Sequence, residues 1–299
     1  MNTATLNSHR LWAYLQLLRP ANIITAWADI MAGFAASGYF VEANLTPLLW
    51  LILATTGLYG GGIVFNDVFD AELDSKERPE RPIPSGKASH TGATLLGSLF
   101  LIVGVVAAAQ VSWLSATLAI AIAMAALLYD AIAKHHHILG PINMGICRGG
   151  NLLLGVSVVP AALENYWFLA LIPIVYIAAI TTLSRGEVHG AKHSTGIIAV
   201  LLIVAVLVGL FGLGWLTDYQ VITALPFLIL LGIRVLLPFI KAVRQPTSEQ
   251  IRIAVKAGVL SLIILDTTVA AGFAGLPYSL LVLSLLPISM ILAKVFAVT

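Results

Sequence analysis

Ten apolar stretches follow one another along the chain, near 20–41, 46–66, 92–111, 113–133, 140–163, 166–184, 195–217, 220–243, 253–274 and 276–297. Each is close to the roughly 20 residues that a helix needs to cross about 30 Å of hydrocarbon. In lipid only helices and closed barrels satisfy every backbone polar group, and runs of this length read as helices. The expected fold is therefore all-α, a polytopic transmembrane bundle. Only 10% of the 299 residues are charged, against about 25% in a soluble domain. The short connections leave no room for a soluble module, so one domain over 1–299 is expected. Met1 to Arg19 is polar or mixed, and the apolar run from Pro20 is not followed by a small-residue cleavage site. That run is expected to stay as an anchor.

The charges between the stretches alternate in sign. One set of loops carries Lys76, Arg78, Arg81, Lys87, Lys134, Arg185, Lys192, Lys241, Arg244 and Arg252; the other set holds Glu42, Glu164 and Asp218 with no Lys or Arg. Basic loops stay in the cytoplasm, so both chain ends are expected there. The expected location is the inner, cytoplasmic membrane of a bacterium, with the lipid bilayer as a partner. A single Cys147 excludes an internal disulfide and a cysteine-based metal site. No nucleic-acid signature is visible, and no such partner is expected.

The second apolar stretch ends in a polar interruption, Asn66-Asp67-Val68-Phe69-Asp70-Ala71-Glu72-Leu73-Asp74. On a helix Asp67, Asp70 and Asp74 share one face with Asn66 beside Asp70. Like charges at this spacing repel unless a cation sits among them. Hard divalent ions take oxygen ligands and bridge carboxylates to phosphates, so Mg²⁺ with a phosphorylated ligand is the expected occupant. A solvated helix end is the bland reading, but Lys76, Arg78 and Arg81 follow at once and suit diphosphate oxygens. Gly60-Gly61-Gly62 is no phosphate loop, since the Lys-Ser/Thr ending is missing. Within the apolar stretches, Asp29 should face the bundle interior, and Arg148 needs an anionic partner, which a diphosphate would supply. Asn22 and Thr25 either line a substrate or pack helices. Arg234 and Asp266 either pair or line a cavity. The triplet His135-His136-His137 points to different sides and reads as a solvated loop rather than a metal site.

The pattern N-D-x-x-D-x-x-x-D from Asn66 to Asp74 resembles the first aspartate-rich signature of the UbiA superfamily of intramembrane prenyltransferases. The resemblance covers about residues 15–195. Leu18-Arg19-Pro20-Ala21-Asn22 is similar to the opening of that family's first helix, and Arg81 to Ser89 to its R-P-x-x-x-G-x-x-S loop. Tyr129 to Lys134 is similar to its tyrosine-to-lysine signature, and Arg148-Gly149-Gly150 also matches. The resemblance implies nine to ten helices around a central cavity open to the cytoplasmic face. It implies Mg²⁺ on Asn66, Asp67, Asp70, Asp74 and Glu187, with Asp67, Asp70, Lys134 and Glu187 catalytic. An isoprenyl diphosphate would be held by Asn22, Asn66, Arg78, Arg81, Tyr129, Asn143, Arg148, Arg185 and Lys192. The prenyl acceptor would be small and aromatic or otherwise lipophilic. The family's second motif, D-x-E-x-D, departs here: Glu187 matches its first acid, but His189 and Ala191 replace the others. Imidazole suits a hard cation less well than carboxylate. The altered motif resembles that of the EboC-like branch, so a terpene cyclase and a carrier or scaffold for an isoprenoid or pigment precursor stand as alternatives.

Overall fold

Prolines and short polar caps start the helices. Pro20 opens α2 (Pro20–Ala36), Pro47 opens α3 (Thr46–Phe69) and Pro160 opens a short helix, Pro160–Tyr166, where the missing N–H of proline has no partner to lose. The Ser89, Ser112 and Thr247 side chains accept from the backbone N–H of Gly92, Ser115 and Gln250, capping three helices. The computed structural model describes residues 3–42, 44–187 and 193–296, with no strand among them.

An N-terminal helix α1 (Thr3–Leu18) precedes α2 and α3. After α3 come the short α4 (Ala71–Glu77), then α5 (His90–Ala109), α6 (Trp113–Ala131) and α7 (Leu139–Val156). Short helix α8 (Pro160–Tyr166) leads through a 3₁₀ turn into α9 (Leu171–Ser184). The chain continues as α10 (His193–Gly212), α11 (Val221–Arg244), α12 (Ser248–Leu283) and α13 (Leu285–Val295). Seven of these stretches are long and apolar enough to cross a membrane. Helix α2, with 17 residues, and α7, which carries Asn143, Arg148 and Asn151, are not among the seven. Helix α2 is an interior helix, covered by the others, and α7 buries its polar residues while leaving Leu139, Ile142 and Ile146 exposed. The outward faces of the rest are aliphatic, as at Leu99, Met124, Leu201 and Leu237.

One boundary differs from the sequence expectation. The stretch expected over 140–163 ends at Val156, because Val159 precedes Pro160 and takes an extended conformation, which breaks the helix. The last two stretches separate where expected, at Gly275 (φ 77°, ψ −178°), which is followed by Pro277. Past that break the chain turns back beside α2. The Tyr278 hydroxyl donates to Met31 O (3.0 Å), and the Ser289 hydroxyl donates to Ala21 O (2.9 Å), so the return arm runs antiparallel to α2. Trp12 stacks on Phe296 with ring centres 4.9 Å apart, bringing α1 and the end of the arm together.

Helix α2 is the hub. Fifteen of its 17 residues are buried, and it packs on α3, α7, α12 and α13. Gly33 on α2 and Gly155 on α7 allow the tightest crossing. A Cβ on Gly33 would overlap Leu152 O, and one on Gly155 would overlap Ile30 O. Small residues let transmembrane backbones approach this closely.

Candidate active site

The acidic face of α3 does not continue as one straight helix. Asp70 leaves the helical region (φ −89°, ψ 1°) and joins α3 to α4. The i to i−4 hydrogen bonds carry on across it, from Asp70 N to Asn66 O (3.0 Å) and from Asp74 N to Asp70 O (2.8 Å). Asn66, Asp70 and Asp74 therefore remain one turn apart. The carboxylates are neutralised by the chain's own cations. Arg81 bonds Asp74 Oδ2 at 2.7 Å and Asp67 Oδ1 at 3.3 Å. Lys134 Nζ lies 2.6 Å from Asp70 Oδ1, and Arg19 Nη2 lies 2.8 Å from Asp67 Oδ1.

Arg19 was not singled out from sequence, although it stands at the head of the first apolar stretch. It is the one non-glycine residue with positive φ among the described residues (44°), a left-handed conformation that costs about 1–2 kcal/mol. That turn between α1 and α2 accompanies the guanidinium's reach to Asp67.

A cavity of about 490 Å³ opens beside this network. Its walls include Asn22, Asn66, Asp70, Asp74, Arg78, Arg81, Tyr129 and Glu187. Its other end is apolar, lined by Leu58, Ile63, Ile122, Ile177, Ile180 and Leu262. Asp130 and Arg19 also line it, and neither was among the sequence candidates. Burial pushes the Glu187 carboxyl above the ordinary carboxylate range, against the opposing pull of Arg78 and Arg252.

Other expected site residues lie elsewhere. Asp67 is not on the cavity wall; it is 5% exposed and held by the two arginines. Lys134 reaches the site through its bond to Asp70. Arg148, expected on a diphosphate, has a protein partner instead. Its Nε lies 2.7 Å from Asp29 Oδ2, and its Nη2 donates to Thr25 O at 2.6 Å. Asn151 donates to the same Asp29 oxygen (2.9 Å). Asp266 is fully buried beside Asp29 and Arg148, whereas Arg234 is exposed on α11, so those two do not pair. Asn143 is buried and receives the Cys147 thiol at 3.9 Å. Arg185 binds His137 Nδ1 (2.7 Å) and His136 O (2.8 Å), tying the histidine loop to the end of α9. His136 Nδ1 accepts from the N–H groups of Ile138 and Leu139. Lys192, His189 and Ala191 lie outside the described residues.

The donor set suits a hard divalent cation. Asp70 and Asp74 each use one carboxylate oxygen in the ion pairs, and Asn66 uses its amide nitrogen toward Asp130. Asn66 Oδ1, Asp70 Oδ2 and Asp74 Oδ1 are left, on three residues that line one cavity. Among the described residues no three acids or histidines form a ready metal cage. Mg²⁺ is commonly held by one or two carboxylates with substrate phosphates completing its shell, and the cavity's arginines suit those phosphates.

A model of the UbiA prenyltransferase family matches residues 23–260. The digeranylgeranylglyceryl phosphate synthase of Methanothrix thermoacetophila is 31% identical over 186 residues, covering 62% of this chain and 67% of that protein. Its counterpart in Metallosphaera sedula is 30% identical over 188 residues, covering 62% and 64%. The chain thus matches about two thirds of the length of these relatives. A solved digeranylgeranylglyceryl phosphate synthase superposes with a TM-score of 0.68 at 22% identity, over 89% of this chain and 99% of that one. A UbiA homologue from Archaeoglobus fulgidus bound to GPP and Mg²⁺ gives 0.61 at 15% identity, over 91% and 99%. At these identities the structural likeness shows a shared fold.

Proposed function

The chain belongs to the UbiA prenyltransferase family, and from that premise we propose that it transfers a prenyl group from an isoprenyl diphosphate to a small lipophilic acceptor within the membrane. The observation that carries this reading is the two-ended cavity, with carboxylates and arginines at one end and aliphatic side chains at the other. An amphipathic donor with a diphosphate head and an isoprenoid tail fits both ends. The names of the relatives, and the GPP and Mg²⁺ of the Archaeoglobus fulgidus neighbour, support the donor class.

Asn66, Asp70 and Asp74 would hold Mg²⁺. When bound, the ion offsets the charge that builds on a departing diphosphate. Arg78 and Arg81 would bind phosphate oxygens in the forked geometry of a guanidinium, and Asn22 and Tyr129 would line the donor. Lys134 holds Asp70 in place at 2.6 Å and would turn to phosphate once the ion takes over that carboxylate. Glu187 would contribute an oxygen from the opposite wall. The apolar end would shield the reacting carbon from water. The whole chain is taken as one such domain, in the cytoplasmic membrane of a bacterial or an archaeal cell, with the basic loops and the cavity mouth inside.

A carrier for the same diphosphate is the second reading. It is favoured by one observation, that every carboxylate of the first motif is already paired with a cation of the chain. Membranes containing the protein, incubated with radiolabelled geranyl, farnesyl or geranylgeranyl diphosphate with and without Mg²⁺, separate the two. Label moving to a lipid product only with Mg²⁺ supports the transferase. Diphosphate that binds and is never cleaved makes the protein a carrier, and no binding at all removes both readings.

A further inference from the structure

We propose that Asp130 is a positioning residue that aims the carbonyl oxygen of Asn66 at the cation. This inference rests on the metal-dependent reading above. The Asn66 side-chain amide donates from Nδ2 to Asp130 Oδ1 at 2.8 Å, across the gap between α3 and α6. An asparagine amide carries a donor and an acceptor on two arms of nearly equal size, and only its hydrogen bonds decide which arm points where. A carboxylate can only accept. Asp130 therefore draws the NH₂ arm toward α6 and turns Oδ1 the other way, onto the face that Asn66 shares with Asp70 and Asp74 one and two turns along.

Without that fixed acceptor, either arm could face the cavity. An NH₂ group there would set a donor against the cation and remove one of three oxygens. Outer partners of this kind orient metal ligands, and their loss typically weakens metal binding 10- to 100-fold. Asp130 is well placed for the part: it is 4% exposed, lines the same cavity and lies on a different helix from the residue it holds. It also explains why a buried acid stands at the end of an otherwise apolar α6, where an unpartnered carboxylate would be costly.

The alternatives are that Asp130 itself binds the ion, or that the bond merely pins α3 to α6. Mn²⁺ binding to the full chain in detergent, followed by electron paramagnetic resonance, tests them without turnover. Three proteins are compared: wild type, Asp130→Asn, and the exchange Asn66→Asp with Asp130→Asn. An asparagine at 130 can offer either arm, so the single variant should bind Mn²⁺ about tenfold more weakly. In the exchange the amide at 130 donates to the carboxylate at 66, whose second oxygen again faces the cavity, and affinity should return to within about threefold of wild type, inside the range such partners command. Unchanged affinity in Asp130→Asn overturns the proposal, as does an exchange variant no better than the single one, which would make Asp130 a ligand in its own right. If Asp130→Asn does not fold, the exchange variant carries the test by the same criterion. Wild-type protein that binds no Mn²⁺ even with a prenyl diphosphate present overturns both this inference and the metal-dependent function it rests on.

Discussion

Asp70 and Asp74 reach the cavity whereas Asp67 sits behind two arginines, and this difference should divide the effects of identical substitutions. Asp70→Ala is expected to weaken Mg²⁺-dependent diphosphate binding at least tenfold, with thermal unfolding little changed; Asp74→Ala should weaken it as much and also lower the unfolding midpoint, since Asp74 is 5% exposed and pairs with Arg81 at 2.7 Å. Asp67→Asn should do the reverse of Asp70→Ala. It leaves Arg19 and Arg81 facing one another without their shared carboxylate, and breaking a buried pair costs about 3–5 kcal/mol, so the loss should appear in the unfolding midpoint. Isothermal titration and thermal melts on the same preparations would read both quantities; a stable Asp67→Asn protein that cannot bind would return Asp67 to the metal site. Arg148→Met tests the interior pair in the same way. It strands Asp29, which is fully buried, so a similar loss of about 3–5 kcal/mol is expected, while the Mg²⁺ concentration for half-maximal activity stays put. A large shift in that concentration would give Arg148 back to the substrate. Much of this chemistry was legible in residue types and spacing, since three acids one face apart require cations. Which cations was not legible. Arg19 reaches Asp67 only through a left-handed turn between two helices, and Arg148 meets Asp29 only because α2 and α7 cross; both are tertiary facts. Asp130 stood inside a recognisable signature, but its bond to Asn66 spans 64 residues.

Helices were more legible than the joints between them. Nine of the ten apolar stretches could be bounded by hydropathy to within a few residues, because membrane thickness sets their length. The joint at Val156 to Pro160 was misplaced because Val158, Val159, Ala161 and Ala162 are as apolar as the helices on either side, so hydropathy does not register the break that proline makes. The crossing of α2 and α7 offers a matched pair of substitutions. Gly155→Ala drives a methyl group into Ile30 O, whereas Gly209→Ala meets nothing within 4 Å. The first should lower the unfolding midpoint in detergent markedly. The second should leave it level or raise it, since alanine is favoured over glycine in a helix by up to about 1 kcal/mol. Equal effects at the two sites would mean that the crossing is looser than the backbone positions indicate.

At the scale of the whole molecule, the return arm brings Phe296 beside Trp12, so both ends of the described chain lie at the same end of the bundle. Reporter fusions at Ser85, His136 and the far C-terminus should all read cytoplasmic, and fusions at Asn165 and Asp218 should not; a cytoplasmic signal at Asn165 would break the alternation on which the orientation rests. The central place of α2 has a further consequence, for the order in which the protein is made. Of the four helices it packs on, only α3 follows it directly; α7, α12 and α13 are made long afterwards. Asn151, which bonds Asp29, is synthesised 122 residues after it, and Ser289, which closes on Ala21, follows by 268. Until Arg148 and Asn151 are made, the newborn helix must hold the Asp29 carboxyl group in lipid without either of them. An unpaired acid in a membrane segment is costly, so α2 is the segment whose place in the bilayer gains most from the later arrival of α7.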